Sequence, residues 1–410
     1  MVGRSDCSAN QNALKQAGSV FSTKVRRQMP NRKTLIFHIG DHKTGSTSIQ
    51  LAFAKRLVTI QGHSVFYPAK LARNALGDQC LAYGKAQTPE TRQATAKPIA
   101  KLAELIRDSK ADFTLISAEA FEKVPAALLR EVIDTFFAGT ADDIRIFGYV
   151  RPHAARLTSS FSERTKAGVP KTLRMNLDDF TKLRQKKREF IYLPRFTAWQ
   201  EQFGDAFTLR PMIRSQLHKG DVVSDFVHHA FGGLPFTITG DNAANESLCL
   251  EDLMRLKVLQ SHLKVLPSRP KASHDLRLKI GWEFSRLTGQ LPPPPQRTKL
   301  QLHKSLAEDI RDTYLDDAKA MDREFFGGEP LLENELHAAV EKALDTPQSV
   351  EPADYLSASE LRSLELMSGM IAGMLEEPTV NWPAFFHAKR VRDVEQARKA
   401  QKKQPSAAAE

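Results

Sequence analysis

The chain has 410 residues, 41% of them hydrophobic, three cysteines and a formal net charge of +11. That length can bury a large core without staples, and an odd cysteine set with no metal-like spacing (Cys7, Cys80, Cys249) argues against a disulfide scaffold or zinc site and for a reducing, cytoplasmic setting. With no N-terminal apolar h-region and no run of eighteen apolar residues, neither a secretory signal nor a membrane span is expected.

Residues 1–32 lack hydrophobic periodicity and are expected to form a disordered basic tail. Residues 1–33 carry seven Lys/Arg against Asp6 alone. The body starts at Lys33. Thr34–Ile39 reads as a buried strand, Gly40–Gly45 as a glycine-bounded turn and Ser46 onward as a helix. A second strand is expected at 64–68, a loop or lid over 70–94, an amphipathic helix over 95–109, a third strand at 112–117 and a helix over 126–137. The strand 143–150 runs into Arg151-Pro152 and a helix. Then come a helix over 192–203, a strand at 206–210 and a helix over 222–231. Alternating α and β with nearly continuous apolar strands predicts an α/β fold with a parallel sheet and flanking helices, here over residues 33–244.

From 245 to 384 the strands cease and a helical extension is expected, broken at Pro292–Pro295. Two roles stay open for it: shaping a pocket for the second substrate, or covering apolar surface. Residues 385–410 read as a frayed or disordered basic tail, with seven Lys/Arg against three acidic residues over 383–410. The excess charge therefore sits at the ends. Balanced charge between basic ends does not describe a nucleic-acid groove, so no nucleic acid is expected; the tails suit peripheral contact with an anionic membrane or glycan.

Three places carry chemistry. The turn supplies inward N–H groups, Lys43, and the hydroxyls of Thr44, Ser46, Thr47 and Ser48 around Gly45, which together form an anion cradle at a helix start. In the ATP/GTP loop, G-x-x-x-x-G-K-S/T, lysine follows the second glycine. Here Ser46 holds that place and Lys43 lies inside the turn. Arg151 and Ser159, at a strand end and two turns into the next helix, can face one side and grip a second anion. For a general base, Glu119 lies just past the third strand, at the carboxyl edge where open sheets bind ligands, and His42 adjoins Lys43. The blander readings are a Glu119 that satisfies a helix dipole and an exposed turn histidine. No acidic metal ligand follows the apolar strands, so no metal is expected.

The order His38-Ile39-Gly40-Asp41-His42-Lys43-Thr44-Gly45-Ser46-Thr47-Ser48 resembles the 5′-phosphosulfate loop of sulfotransferases that use 3′-phosphoadenosine 5′-phosphosulfate (PAPS), and Arg151 with Ser159 resembles their 3′-phosphate grip. Ser160 to Gly168 is similar to the family's helix end, and Phe196–Trp199 and Gly220–Phe226 are similar to core segments of bacterial members. The likeness spans about residues 33–232. It implies a P-loop NTPase-like core, PAPS as co-substrate without a metal, and Lys43 on the leaving phosphate oxygen. The acceptor implied is a hydroxyl on a carbohydrate, glycolipid or lipopolysaccharide. A soluble bacterial enzyme, cytoplasmic or peripheral to the inner membrane, is the expected setting. Two rival classes are a nucleotide kinase or other phosphotransferase, and a non-catalytic polyanion binder that acts through its tails.

Overall fold

β-branched and aromatic residues dominate the segments that pair. In the computed structural model, which describes residues 32–240, 248–263, 270–377 and 379–403, they form β1 (Thr34–His38), β2 (Val58–Ile60), β3 (Val65–Phe66), β4 (Phe113–Ser117), β5 (Asp143–Val150), β6 (Phe207–Pro211) and β7 (Phe236–Ile238). Five of them make a parallel sheet in the order β3-β4-β1-β5-β6. β2 and β7 form a separate antiparallel pair, three residues each and too short to stand out by periodicity.

Helices cover both faces, because the central strands β1 and β4 are buried on both sides. Leu35 and Phe37 face one core with Ile106, Leu129, Phe161 and Trp199, while Ile36 faces the other with Ile49, Phe53 and Phe226. Each fully buried side chain of this size contributes about 1.5–3 kcal/mol. In chain order the helices are α1 (Ser46–Ala54), α2 (Asn74–Lys85), α3 (Pro89–Asp108), α4 (Ala126–Val132), α5 (His153–Lys166), α6 (Pro170–Leu173), α7 (Leu177–Lys186), α8 (Leu193–Phe203) and α9 (Val222–Ala230). After these come α10 (Leu250–His262), α11 (Pro270–Thr288), α12 (Lys304–Phe325), α13 (Leu331–Glu341), α14 (Ala358–Leu375) and α15 (Trp382–Lys403).

The expected loop at 70–94 is instead helical, with α2 and the start of α3. The polar composition hid a buried stripe, Leu76, Cys80 and Tyr83, at helical spacing. Thr88 caps α3 through a reciprocal bond with Thr91, Pro89 opens its first turn, and the Arg92 guanidinium lies 4.4 Å from the Tyr83 ring centre. α6 and α7 were also unforeseen. The expected 1–32 tail lies outside the described residues except for Arg32.

Past residue 248 the described chain is helical. α10 and α12 both pack on α5. The described part of the 385–410 tail lies in a helix. α15 is helical to Lys403 and docks on α11, where Lys389 pairs with Glu283 and Arg390 covers the Trp282 ring. No described helix is long and apolar enough to cross a membrane.

One glycine fixes how the first turn meets the sheet. Gly45 caps α1 with φ +79°, and a Cβ there would lie 2.8 Å from Val222 Cγ1 on α9. Gly45→Ala is predicted to cost at least about 1–2 kcal/mol in a denaturant melt, the left-handed backbone penalty alone. Val222→Ala in the same background should relieve only the contact. An unchanged midpoint in Gly45→Ala would contradict this reading.

Candidate active site

Parallel pairing positions the site. β1 lies between β4 and β5, and its ladder with β5 continues beyond His38: Ile39 N–H donates to Phe147 O (2.9 Å), Tyr149 N–H to Gly40 O (2.9 Å) and Asp41 N–H to Tyr149 O (3.2 Å). The turn is thus hydrogen-bonded to the strand that ends in Arg151. Beneath it His38 is fully buried, donating to or accepting from Ser117 Oγ at 2.8 Å, and burial pushes its pKa down to about 3, so it is neutral.

The turn is closed from inside. Thr44 Oγ1 and Ser46 Oγ donate to Asp41 O at 2.5 and 3.1 Å, so these hydroxyl protons, expected to face a ligand, are engaged within the loop. The buried Asp41 carboxylate accepts a two-pronged bond from Arg195 of α8, at 2.8 and 2.7 Å. Ser48 and Ile49 N–H groups bond to Gly45 O, which leaves those of Ser46 and Thr47 without a helical carbonyl. Thr47 is exposed and Ser48 half-buried at the mouth.

Arg151 joins the two expected grips. Its Nη1 donates to Lys43 O at 2.8 Å and lies 3.4 Å from Ser159 Oγ. Burial, then the neighbouring Arg156, lowers its pKa from the ordinary arginine value. Lys43, at φ +68°, turns its ammonium to Glu163 of α5 at 2.6 Å, and Lys166 holds the same carboxylate oxygen at 2.9 Å. Burial lowers the Lys43 pKa, with Glu163 opposing it.

His42 is bonded to Glu122, and its Nε2 lies 3.8 Å from Glu119. Glu122 also accepts from Arg156 at 2.8 Å. Burial works against the imidazolium, but the hydrogen bond and charge of Glu122, with Glu119 behind them, prevail and raise the His42 pKa. Burial likewise opposes ionised Glu122, yet His42, Arg156 and Arg195 hold it well below the ordinary value. His42, Lys43, Glu122, Arg156, Glu163 and Arg195 line a cleft of about 430 Å³.

Glu122, Glu163, Arg156, Arg195 and Asp41 were not among the expected residues. A signal existed for α5, where Arg156, Ser160 and Glu163 recur at four and three residues, a polar stripe facing the cleft. Nothing local announced Asp41 with Arg195, or Asp317. That residue, on α12, accepts from Tyr192 N–H and Leu193 N–H at 2.9 and 3.0 Å and meets His153 Nε2 at 2.9 Å. It thereby fixes the starts of α5 and α8 together, and Tyr192 Oη in turn donates to Arg151 O at 2.9 Å. The extension helps position the site. Comparison of the chain with family models, curated proteins and solved structures finds no match in any of the three.

Two predictions follow from these contacts. A His42 pKa raised above 6.5 stabilises the fold fully below that value and less as pH climbs through the folded pKa, whereas the lowered Glu122 pKa stabilises above 4.5. The stability lost in His42→Ala should therefore be greatest between pH 4.5 and 6.5 and shrink toward pH 9. Urea melts at pH 6 and pH 9 check it, and a gap that widens at pH 9 contradicts it. Asp317→Ala, which strips the buried Tyr192 N–H and the half-buried Leu193 N–H of their acceptor, should cost about 2–4 kcal/mol in the same assay; a loss under about 0.5 kcal/mol would show that the junction is not held there.

Proposed function

We propose that the protein is a PAPS-dependent sulfotransferase, with a P-loop NTPase-like core, acting on a hydroxyl of a carbohydrate, glycolipid or lipopolysaccharide. The observation that carries this reading is the position of Arg151. One guanidinium reaches from Ser159 to the Lys43 carbonyl, so both anion grips serve a single ligand with two separated charged groups. The sheet order supports it as well. The chain leaves β1 toward β3 and β4 but leaves β5 toward β6, which opens a crevice between the ends of β1 and β5, where open sheets take nucleotides.

In this reading the N–H groups at the start of α1 hold the 5′-phosphosulfate, and Arg151 with Ser159 holds the 3′-phosphate. The acceptor oxygen attacks sulfur in line, the bond from sulfur to the phosphate oxygen breaks, and Lys43 takes the charge that gathers on that oxygen. Lys43 can leave Glu163 because Lys166 remains on the carboxylate. The acceptor proton goes to Glu119. His42 is a poor base, being raised toward its charged form by Glu122. A phosphotransferase would need its lysine where Ser46 stands, and the described tail helix α15 has its cations Lys389 and Arg390 engaged on α11.

Calorimetric titration with 3′-phosphoadenosine 5′-phosphate, beside adenosine 5′-phosphate and ATP with magnesium, tests the class. Binding that requires the 3′-phosphate and weakens at least about tenfold in Arg151→Ala is expected; preference for ATP with magnesium would replace this reading with a phosphotransferase. Lys43→Ala should keep nucleotide binding within about tenfold while turnover with PAPS falls about 100- to 1000-fold, the range for loss of one oxyanion donor. Full turnover in that variant would overturn the role of Lys43, and full turnover in Glu119→Gln would remove Glu119 as the base.

A further inference from the structure

The cleft that leaves the cradle at Lys43 and His42 is lined by more positive than negative side chains. Five of its lining residues are lysine or arginine against three glutamates, and the glutamates are all engaged. Glu163 holds Lys43 and Lys166, Glu122 holds His42 and Arg156, and Glu189 accepts two bonds from Arg184 at 2.8 and 2.9 Å. Asp41 takes Arg195. The side chains of Arg164, half-buried, and Lys123, exposed, are left without a hydrogen bond or ion pair among the described residues, though Glu189 and Glu122 act on Arg164 from farther away.

Arg156 supplies an independent sign. It is only 4% exposed, it lines this cleft, and only its Nη2 has a partner, while Nε and Nη1 are buried with none. A buried guanidinium with two idle N–H groups is costly unless something accepts from it. The Phe190 ring lies over it, 5.1 Å from Cζ, at φ +70° in the α7–α8 connection. Idle guanidinium donors beside the cleft suit a ligand with an acid group.

We infer that this cleft is an acceptor site selective for an anionic acceptor, with a carboxylate or phosphate held by Arg156, Arg164 and Lys123 while a hydroxyl of the same molecule reaches Lys43 and Glu119. The inference rests on the sulfotransferase reading for the fate of that hydroxyl, but the anion selectivity stands on the cleft alone. A neutral sugar can accept from these donors through its hydroxyls but cannot offset their charge, and binds more weakly for that reason.

The test is calorimetric titration of the full chain, with and without saturating 3′-phosphoadenosine 5′-phosphate, using three probes: trigalacturonic acid, the same trisaccharide with its carboxyls reduced to alcohols, and a hexose 6-phosphate. An acidic probe should bind at least about tenfold more tightly than the reduced trisaccharide, the effect of one charge-assisted bond. The preference should fall at least about threefold in the double variant Arg164→Gln, Lys123→Gln, which leaves Arg156 in place, with nucleotide affinity unchanged. Comparison of the carboxylate and phosphate probes distinguishes the two sources of charge. Equal binding of charged and neutral probes, or a preference undiminished in the double variant, would overturn the inference. The nucleotide titration is read separately: if the nucleotide fails to bind while the acidic probe binds selectively, the sulfotransferase reading fails and the anion site stands.

Discussion

The β1–β5 ladder does not stop where the strands do. Three more bonds, through Ile39, Gly40 and Asp41, carry the pairing into the turn, and the strand on the other side of them ends in Arg151. Every feature of the site depends on that extension. It brings the Lys43 carbonyl within 2.8 Å of Arg151 and places the turn above a core in which even His38 is neutral and fully buried. A cradle on an unpaired loop would have to order its N–H groups as the ligand arrived, at about 1–2 kcal/mol per residue. Here that ordering is complete in the fold.

The cations around the turn are all held, but in different ways. Arg195 is fixed on Asp41 by two short bonds and closes the loop from behind. Arg156 is tied to Glu122 through one nitrogen only. Lys43 shares Glu163 with Lys166, so its withdrawal leaves no carboxylate stranded, the usual reason that breaking a buried pair is costly. The site therefore separates structural charge from exchangeable charge. In the proposed reading the exchangeable charge is Lys43, beside the cleft.

Much of the sheet was legible in the chain because runs such as Leu35–Phe37 and Ile146–Val150 are apolar and lead into chemically distinct turns. The spacing of Arg151 and Ser159 also carried over into contact. Local pattern could not show a partner 154 residues away, as Arg195 is from Asp41, nor that Asp317 would bind two helix starts. The 70–94 segment was obscured by its polar surface, since Leu76, Cys80 and Tyr83 make a stripe one residue wide. The acid groups of the site were obscured for another reason. Glu122, Glu163 and Glu189 look like ordinary solvated glutamates until the fold sets each against a cation.

The helical extension follows the same logic. α12 covers apolar surface of the sheet helices, and through Asp317 it also fixes the residues that flank Arg151. The most direct measurement is a crystal structure of the protein with 3′-phosphoadenosine 5′-phosphate. The 5′-phosphate should lie on the N–H groups of Ser46 and Thr47, the 3′-phosphate on Arg151 and Ser159, and the Lys43 ammonium should have moved from Glu163 to the ligand while Lys166 stays. A nucleotide bound elsewhere, or one bound in the crevice with Lys43 still on Glu163, would contradict the exchange of partners on which the proposed transfer depends.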